Sequence, residues 1–165
     1  MVVMEIRIHR GPRDALQSLF AEADDSEDQI ASYCDLGDIL VAIDDGEILG
    51  HAQIVETEEA GTFEIKSLAV RADRRSQGIG SQLVEAAHLY CRDRGAQLLL
   101  VATAAASIAA LQFYQRQGFR IQRVIRDFYS PGRGYRPLEL NGIPLRDEVI
   151  LDLDLTRPAT ASSKI

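Results

Sequence analysis

The hexapeptide Arg75-Ser76-Gln77-Gly78-Ile79-Gly80 stands between a strand-like run, Thr62 to Val70, and a helix-like run, Ser81 to Arg94. Glycine lets a backbone approach a ligand closely, and the first turn of the following helix presents unpaired N–H groups at the positive end of its dipole. The hexapeptide therefore reads as an anion cradle of the kind that holds a pyrophosphate. Two common phosphate motifs do not account for it. A dinucleotide fingerprint needs a third glycine where Leu83 stands, and a P-loop needs Gly-Lys-Ser/Thr where the chain reads Gly80-Ser81-Gln82. Arg71, Arg74 and Arg75 gather beside this turn in an otherwise acidic chain, and guanidinium groups form charge-assisted bonds to phosphate.

What remains is Arg/Gln-x-x-Gly-x-Gly/Ala with an arginine first, preceded by Leu68-Ala69-Val70. That combination resembles the acyl-CoA-binding motif of the GNAT superfamily of N-acetyltransferases. A second segment, Ser107 to Phe119, is similar to the family's helix that runs from an asparagine through alanine to a tyrosine and a closing Gly-Phe. Ala110, Tyr114, Gly118 and Phe119 match it, and Ser107 replaces the asparagine. The resemblance covers Gly61 to Arg123 well, the N-terminal third in element order, and the stretch after Phe128 poorly. It implies that the main chain of Leu68, Ala69 and Val70 contacts the thioester and pantetheine arm of acetyl-CoA. The amides of Gln77, Gly78, Ile79, Gly80 and Ser81 would then hold the pyrophosphate, with Arg74 and Arg75 beside them and Arg71 at the strand end. Ser107 would reach the pantetheine region with a shorter side chain and a single donor. Tyr114 would face the sulfur.

Acetyl transfer to an amine sets two protonation problems. An amine of pKa ~10.4 is nucleophilic only when neutral, which costs about 4.6 kcal/mol at pH 7, and the departing thiolate, of pKa ~8.5, needs an acid. Tyr114 is the candidate acid. Glu64 occupies the position where some family members carry a catalytic glutamate, which makes it the candidate base; the alternative is an exposed strand glutamate paired with a neighbour. His51, whose imidazole titrates near neutrality, is the reserve, and a water path is the third route. Strict alternation along the strand sets Glu64, Lys66 and Leu68 on one face and Ile65, Ser67 and Ala69 on the other, unless a twist or bulge near Leu68 alters it.

The elements that must position these groups are legible as periodicities. Val2 to His9 alternates as an opening strand, and Asp14 to Ala23 follows as a helix with Leu16, Leu19 and Phe20 on one face. The acidic run 22–28 is a solvated loop or a helix N-terminus. Ile39 to Ile43 and Ile48 to Val55 flank Asp45-Gly46, a hairpin signal, and Thr62 to Val70 completes a meander of three. After the helix behind the glycine loop come a buried strand at Leu98 to Val101, a helix at Ser107 to Gln117, and strands at Phe119 to Val124 and Val149 to Leu155. The order βαα–βββ–α–β–α–ββ is also similar to that of GNAT proteins, and the expected fold class is α+β, a curved mixed sheet flanked by helices. Residues 1–155 form a single acetyltransferase domain in this reading, and 156–165 a polar tail.

A chain of 165 residues buries roughly 70% of its unfolded surface, enough for a core without staples. Cys34 and Cys91 are too few for a disulfide framework, and no metal-ligand spacing appears; the expected setting is a reducing cytoplasm and the expected cofactor set is acetyl-CoA without a metal. The N-terminus is too soon charged for a signal peptide, and no apolar run approaches the ~20 residues of a membrane span. A net charge of −7 opposes nucleic acid and suits a cationic acceptor. The resemblance implies an N-acetyltransferase acting by direct transfer in a ternary complex on a primary amine, of a small molecule or of a peptide or protein. The alternative is a CoA-binding regulatory or interaction module of the same fold without turnover. The segment Arg126 to Arg146, rich in Pro, Gly, Tyr and Arg, reads as either a wall of the acceptor site or a contact in a homodimer.

Overall fold

The computed structural model describes residues 4–157. Its strands are β1 (Glu5–Ile8), β2 (Asp38–Asp44), β3 (Glu47–Glu56), β4 (Thr62–Val70), β5 (Leu98–Ala104), β6 (Arg120–Ile125), β7 (Glu139–Leu140), β8 (Ile143–Pro144) and β9 (Glu148–Asp154). The helices are α1 (Gln17–Ala23), α2 (Glu27–Tyr33), α3 (Ile79–Asp93) and α4 (Ile108–Arg116). Seven strands make one sheet in the order β1-β2-β3-β4-β5-β9-β6, and β7 and β8 form a separate small hairpin. Only β4 and β5 pair in parallel; the other neighbours are antiparallel. This is the mixed sheet with flanking helices that the element order implied.

Local chemistry explains the boundaries. Asp45 and Gly46 take φ of 48° and 79°, the left-handed pair that a tight hairpin between β2 and β3 requires. The acidic run resolves into a helix start: Ser26 Oγ accepts from the Gln29 amide at 3.2 Å, and Glu27 and Asp28 occupy the first turn of α2, where carboxylates favour the helix dipole. The helix expected over 14–23 begins instead as a 3-10 turn, Arg13–Leu16, before α1. The first strand is shorter than its alternation suggested; Val2 and Val3 lie outside the described residues, as does the expected tail beyond Arg157. No helix among the described residues is long and apolar enough to cross a membrane.

The sheet separates two cores. On one face Leu83, Val84, Ala87 and Cys91 of α3 pack on Leu40, Ala42, Leu49 and Ala52, and the same cluster continues to Tyr114 and Phe119 at α4. On the other face Leu16, Leu19, Phe20, Ile30 and Tyr33 cover Ile39, Val41 and Ala69. Strict alternation along β4 does not survive. Gln53 pairs with Ser67 and its neighbour Ile54 with Ile65, so Lys66 is the extra residue of a β-bulge. Ile65 consequently joins Leu68 and Val70 in the α3 core while Ala69 joins the α1 core, in place of the expected pairing of Ile65 with Ala69.

Gly50 of β3 lies opposite Val70, the last residue of β4. A Cβ there would stand 2.7 Å from the Ala69 carbonyl oxygen and 3.2 Å from Leu83 Cδ1. Gly50→Ala is thus expected to destabilise the fold by about 1–3 kcal/mol, and to lower the thermal midpoint by roughly 2–12 °C for a chain of this size. Circular dichroism melting checks this, and an unchanged midpoint would show that β4 yields at no cost.

Candidate active site

β4 and β5 stay paired for four positions, from Thr62↔Leu98 to Ile65↔Val101. Past the Lys66 bulge they part. β4 continues against β3 as far as Val70, and β5 continues against β9 as far as Ala104. The edge of Leu68, Ala69 and Val70 that faces β5 is left without a strand partner, and main-chain groups in that state need another partner. The second open edge is at the start of α3. Gly78 is its N-cap with φ 81°, and no side chain caps it. A Cβ on Gly78 would meet nothing within 4 Å, and one on Gly80 would touch the Phe113 ring at 3.4 Å. The loop is therefore open at Gly78 and closely packed against α4 at Gly80. An unpaired strand edge leading to an uncapped helix N-terminus fits the two polar parts of acetyl-CoA, the amide-bearing pantetheine arm and the pyrophosphate.

The arginines beside the loop are all engaged with carboxylates. Arg71 bonds Glu47 at 3.0 Å and Asp73 at 2.8 Å, and Arg74 lies 3.7 Å from Asp44. Arg75 pairs with Glu22 and also donates to the Val70 carbonyl at 3.3 Å. They brace the loop against the sheet and α1. Ser81 accepts from Gln117 Nε2 at 2.9 Å, which ties the first turn of α3 to the end of α4. Ser107 is the N-cap of α4 and makes no capping bond.

Where β4 and β5 part, a cavity of about 420 Å³ opens, and Glu64, Leu68, Ser107 and Tyr114 all line it. Tyr114 is 9% exposed, its ring edge-on to Phe113 at 5.1 Å and Phe119 at 5.7 Å. Burial pushes its phenol well above the ordinary range, so the hydroxyl stays protonated at neutral pH. Burial also raises the Glu64 carboxyl, against an opposing pull from Lys66, whose ammonium is 3.9 Å away. His51 does not reach the cavity. It is wholly buried against Phe20, with Nε2 2.8 Å from Ser67 Oγ, and Ser67 is the residue that lines the cavity there. Burial lowers its imidazole to about 4, a neutral group behind the wall.

Sequence reasoning missed Glu148. It opens β9 opposite Ala104 of β5, is 8% exposed and lines the cavity. Its carboxyl is pushed up to about 7, chiefly by burial, with Glu64 adding to the rise and Lys66 opposing it. Read as sequence, Glu148 stands just ahead of the strand expected over Val149 to Leu155, whose alternating acids mark one wet face. What buries it is the segment 126–146, whose Phe128, Tyr129 and Tyr135 also line the cavity. That segment is held by Ser26 Oγ donating to the Arg133 carbonyl and Tyr135 Oη donating to Asp24, each at 2.9 Å. It is thus a wall of the cavity. Among the described residues no group of three His, Cys, Asp or Glu side chains could hold a metal ion.

Comparison with known proteins identifies the family. The family model described as Acetyltransferase (GNAT) family matches residues 7–119. The chain is 35% identical to the uncharacterized N-acetyltransferase YvbK of Bacillus subtilis, over 94% of this chain and all of that one. Among solved structures it is similar to a Bacillus subtilis acetyltransferase in complex with CoA, with a TM-score of 0.84 and 32% identity over 92% of this chain and 99% of the other. A GNAT family acetyltransferase from Elizabethkingia anophelis with acetyl-CoA bound has the same TM-score, 0.84, at 29% identity over 92% of this chain and 97% of the other. The chain belongs to the GNAT family and is an acetyl-CoA-dependent acetyltransferase.

Proposed function

We propose that the protein acetylates a primary amine of a small molecule, by direct transfer in a ternary complex, and that residues through 155 act as one catalytic domain. The observation that carries this reading is the cavity at the parting of β4 and β5, where a carboxyl with a pKa of about 7, Glu148, and a protonated phenol, Tyr114, line the same space. The wall formed by 126–146 narrows that space and favours a small acceptor over a folded protein surface.

Acetyl-CoA supplies the activated acetyl thioester. The edge of Leu68, Ala69 and Val70 binds the arm, the amides from Gln77 to Ser81 bind the pyrophosphate, and Ser107 adds a hydroxyl near the arm. Acidic side chains draw the acceptor in as its ammonium. Glu148 takes one proton from it, a role suited to a base whose pKa lies near the working pH, and Glu64 is the second carboxylate beside it. As the new C–N bond forms and the C–S bond breaks, Tyr114 gives its proton to the sulfur. The second nitrogen proton replaces it, and Glu148 passes its own to water, so one proton is released overall. The alternative base is Glu64 itself, and the variants below separate the two.

Gly78→Asp sets a carboxylate in the open space beside the loop amides. Asp is among the residues that tolerate a left-handed backbone, so the fold should persist while calorimetry shows CoA affinity at least tenfold weaker; equal affinity would remove the loop from the site. Tyr114→Phe keeps the ring packing and removes the acid, so kcat should fall about 10²-fold or more with acetyl-CoA affinity nearly unchanged. A fall under about threefold would exclude Tyr114 as the acid.

Because the Glu148 carboxyl must be ionised to accept a proton, kcat/KM should rise with pH through a limb near 7. Glu148→Gln should abolish that limb and lower the neutral rate by about 10²-fold or more, with partial recovery as high pH deprotonates the free amine. If the limb persists in Glu148→Gln and disappears in Glu64→Gln, the base is Glu64.

A further inference from the structure

The cavity carries more negative charge than one acceptor amine needs. Its lining holds Glu22, Asp24, Asp25, Glu64 and Glu148 against a single ammonium, Lys66. Two of these acids are already neutralised, Glu22 by Arg75 and Glu64 by Lys66. Asp24 is already engaged: it accepts from Tyr33 Oη at 2.9 Å, Tyr135 Oη at 2.9 Å and the Ser26 amide at 3.0 Å. That leaves two carboxylates on different elements. Glu148, more than nine-tenths buried on β9, has no hydrogen-bond or ion-pair partner among the described residues. Asp25, exposed in the turn between α1 and α2, has none either, and partial burial and its neighbour Asp24 both push its carboxyl up.

Aromatic rings connect the two. Tyr33 and Phe128 already carry cations over their faces, Lys66 at 5.3 Å and Arg133 at 4.3 Å. Tyr129, packed edge-on against Tyr135 at 4.9 Å, carries none among the described residues. It is near enough to both poles that Glu148, Asp24 and Asp25 all add to the rise of its phenol. An unpaired carboxylate at each pole with an aromatic ring near both is the complement of a short chain that is cationic at both ends.

We infer that the acceptor is a small diamine, with one amino group deprotonated at Glu148 for acetylation and the second retained as an ammonium by Asp25 and the Tyr129 ring. The inference rests on the reading that this cavity receives the acceptor amine. It commits to more than that reading, since a monoamine would satisfy the one and not the other.

The test compares kcat/KM at pH 7.5 for α,ω-diamines from 1,3-diaminopropane to 1,6-diaminohexane with straight-chain monoamines of equal heavy-atom count, in the parent protein and in Asp25→Asn. Asp25 makes no bond that the asparagine would lose, so the variant should fold, and its melting curve verifies this. The best diamine should exceed its matched monoamine by about tenfold or more, the scale of one charge-assisted contact, and Asp25→Asn should cut that ratio at least threefold. Diamines and monoamines acetylated within about threefold of one another would overturn the inference and leave amine acetylation standing. A large ratio unchanged in Asp25→Asn would overturn it as well, because the second ammonium would then lie elsewhere. Failure to acetylate any amine in the series would overturn the functional reading together with the inference.

Discussion

Hydrogen-bond accounting along one strand governs the architecture. A main-chain edge withdrawn from its partner costs free energy unless another group pairs with it, and β4 withdraws from β5 after four paired positions. The extra residue at Lys66 bends and twists β4 away from its neighbour, while β3 holds the opposite edge in register to Val70. β9 holds the far edge of β5 along its whole length, so beyond Val101 only the β5 edge that faced β4 is left open, at Ala102, Thr103 and Ala104. The gap is therefore bounded by one edge of each of two parting strands. α4 starts where β5 ends, so Ser107 and Tyr114 arrive at the gap as a result of connectivity.

Charge is distributed in two regimes around that gap. Beside the glycine loop, cations and anions are matched: Arg71, Arg74 and Arg75 each find a carboxylate. These contacts are largely exposed and individually weak, but they connect the loop to three different strands or helices. In the cavity the acids outnumber the cations, and burial has shifted the carboxyls of Glu148 and Glu64 upward and the phenol of Tyr114 beyond the neutral range. A net charge of −7 says little by itself. Its concentration in one concave, partly dehydrated place is what gives that place a field of one sign.

The parts of this arrangement governed by local rules were readable in the sequence. The bounds of β4, the turn at Asp45-Gly46, the glycine loop and the helix it opens all follow from periodicity and backbone conformation, and the resemblance at Leu68 to Gly80 and at Ser107 to Phe119 pointed to the family that the comparisons show. Alternation along β4 gave the wrong faces because a one-residue bulge leaves no mark in the apolar pattern. His51 looked like a base because its residue type titrates near neutrality; its seclusion behind Ser67 depends on how β3 and β4 pack under Phe20. Glu148 was invisible for the converse reason, since an acid at the start of an alternating strand is ordinarily wet and only the fold of 126–146 over it makes it dry.

Asp24 joins two parts of the chain that are more than a hundred residues apart in sequence. Its carboxylate receives Tyr33 from α2 and Tyr135 from the 126–146 segment, and the adjacent Ser26 bonds Arg133 in that same segment. The cavity wall is consequently not an independent module. A loop graft taken from a relative would bring its own phenol and carbonyl positions but not the turn that receives them, so rebuilding this wall with a relative's segment requires the turn at 24–26 and the segment at 126–146 to be transplanted as one unit.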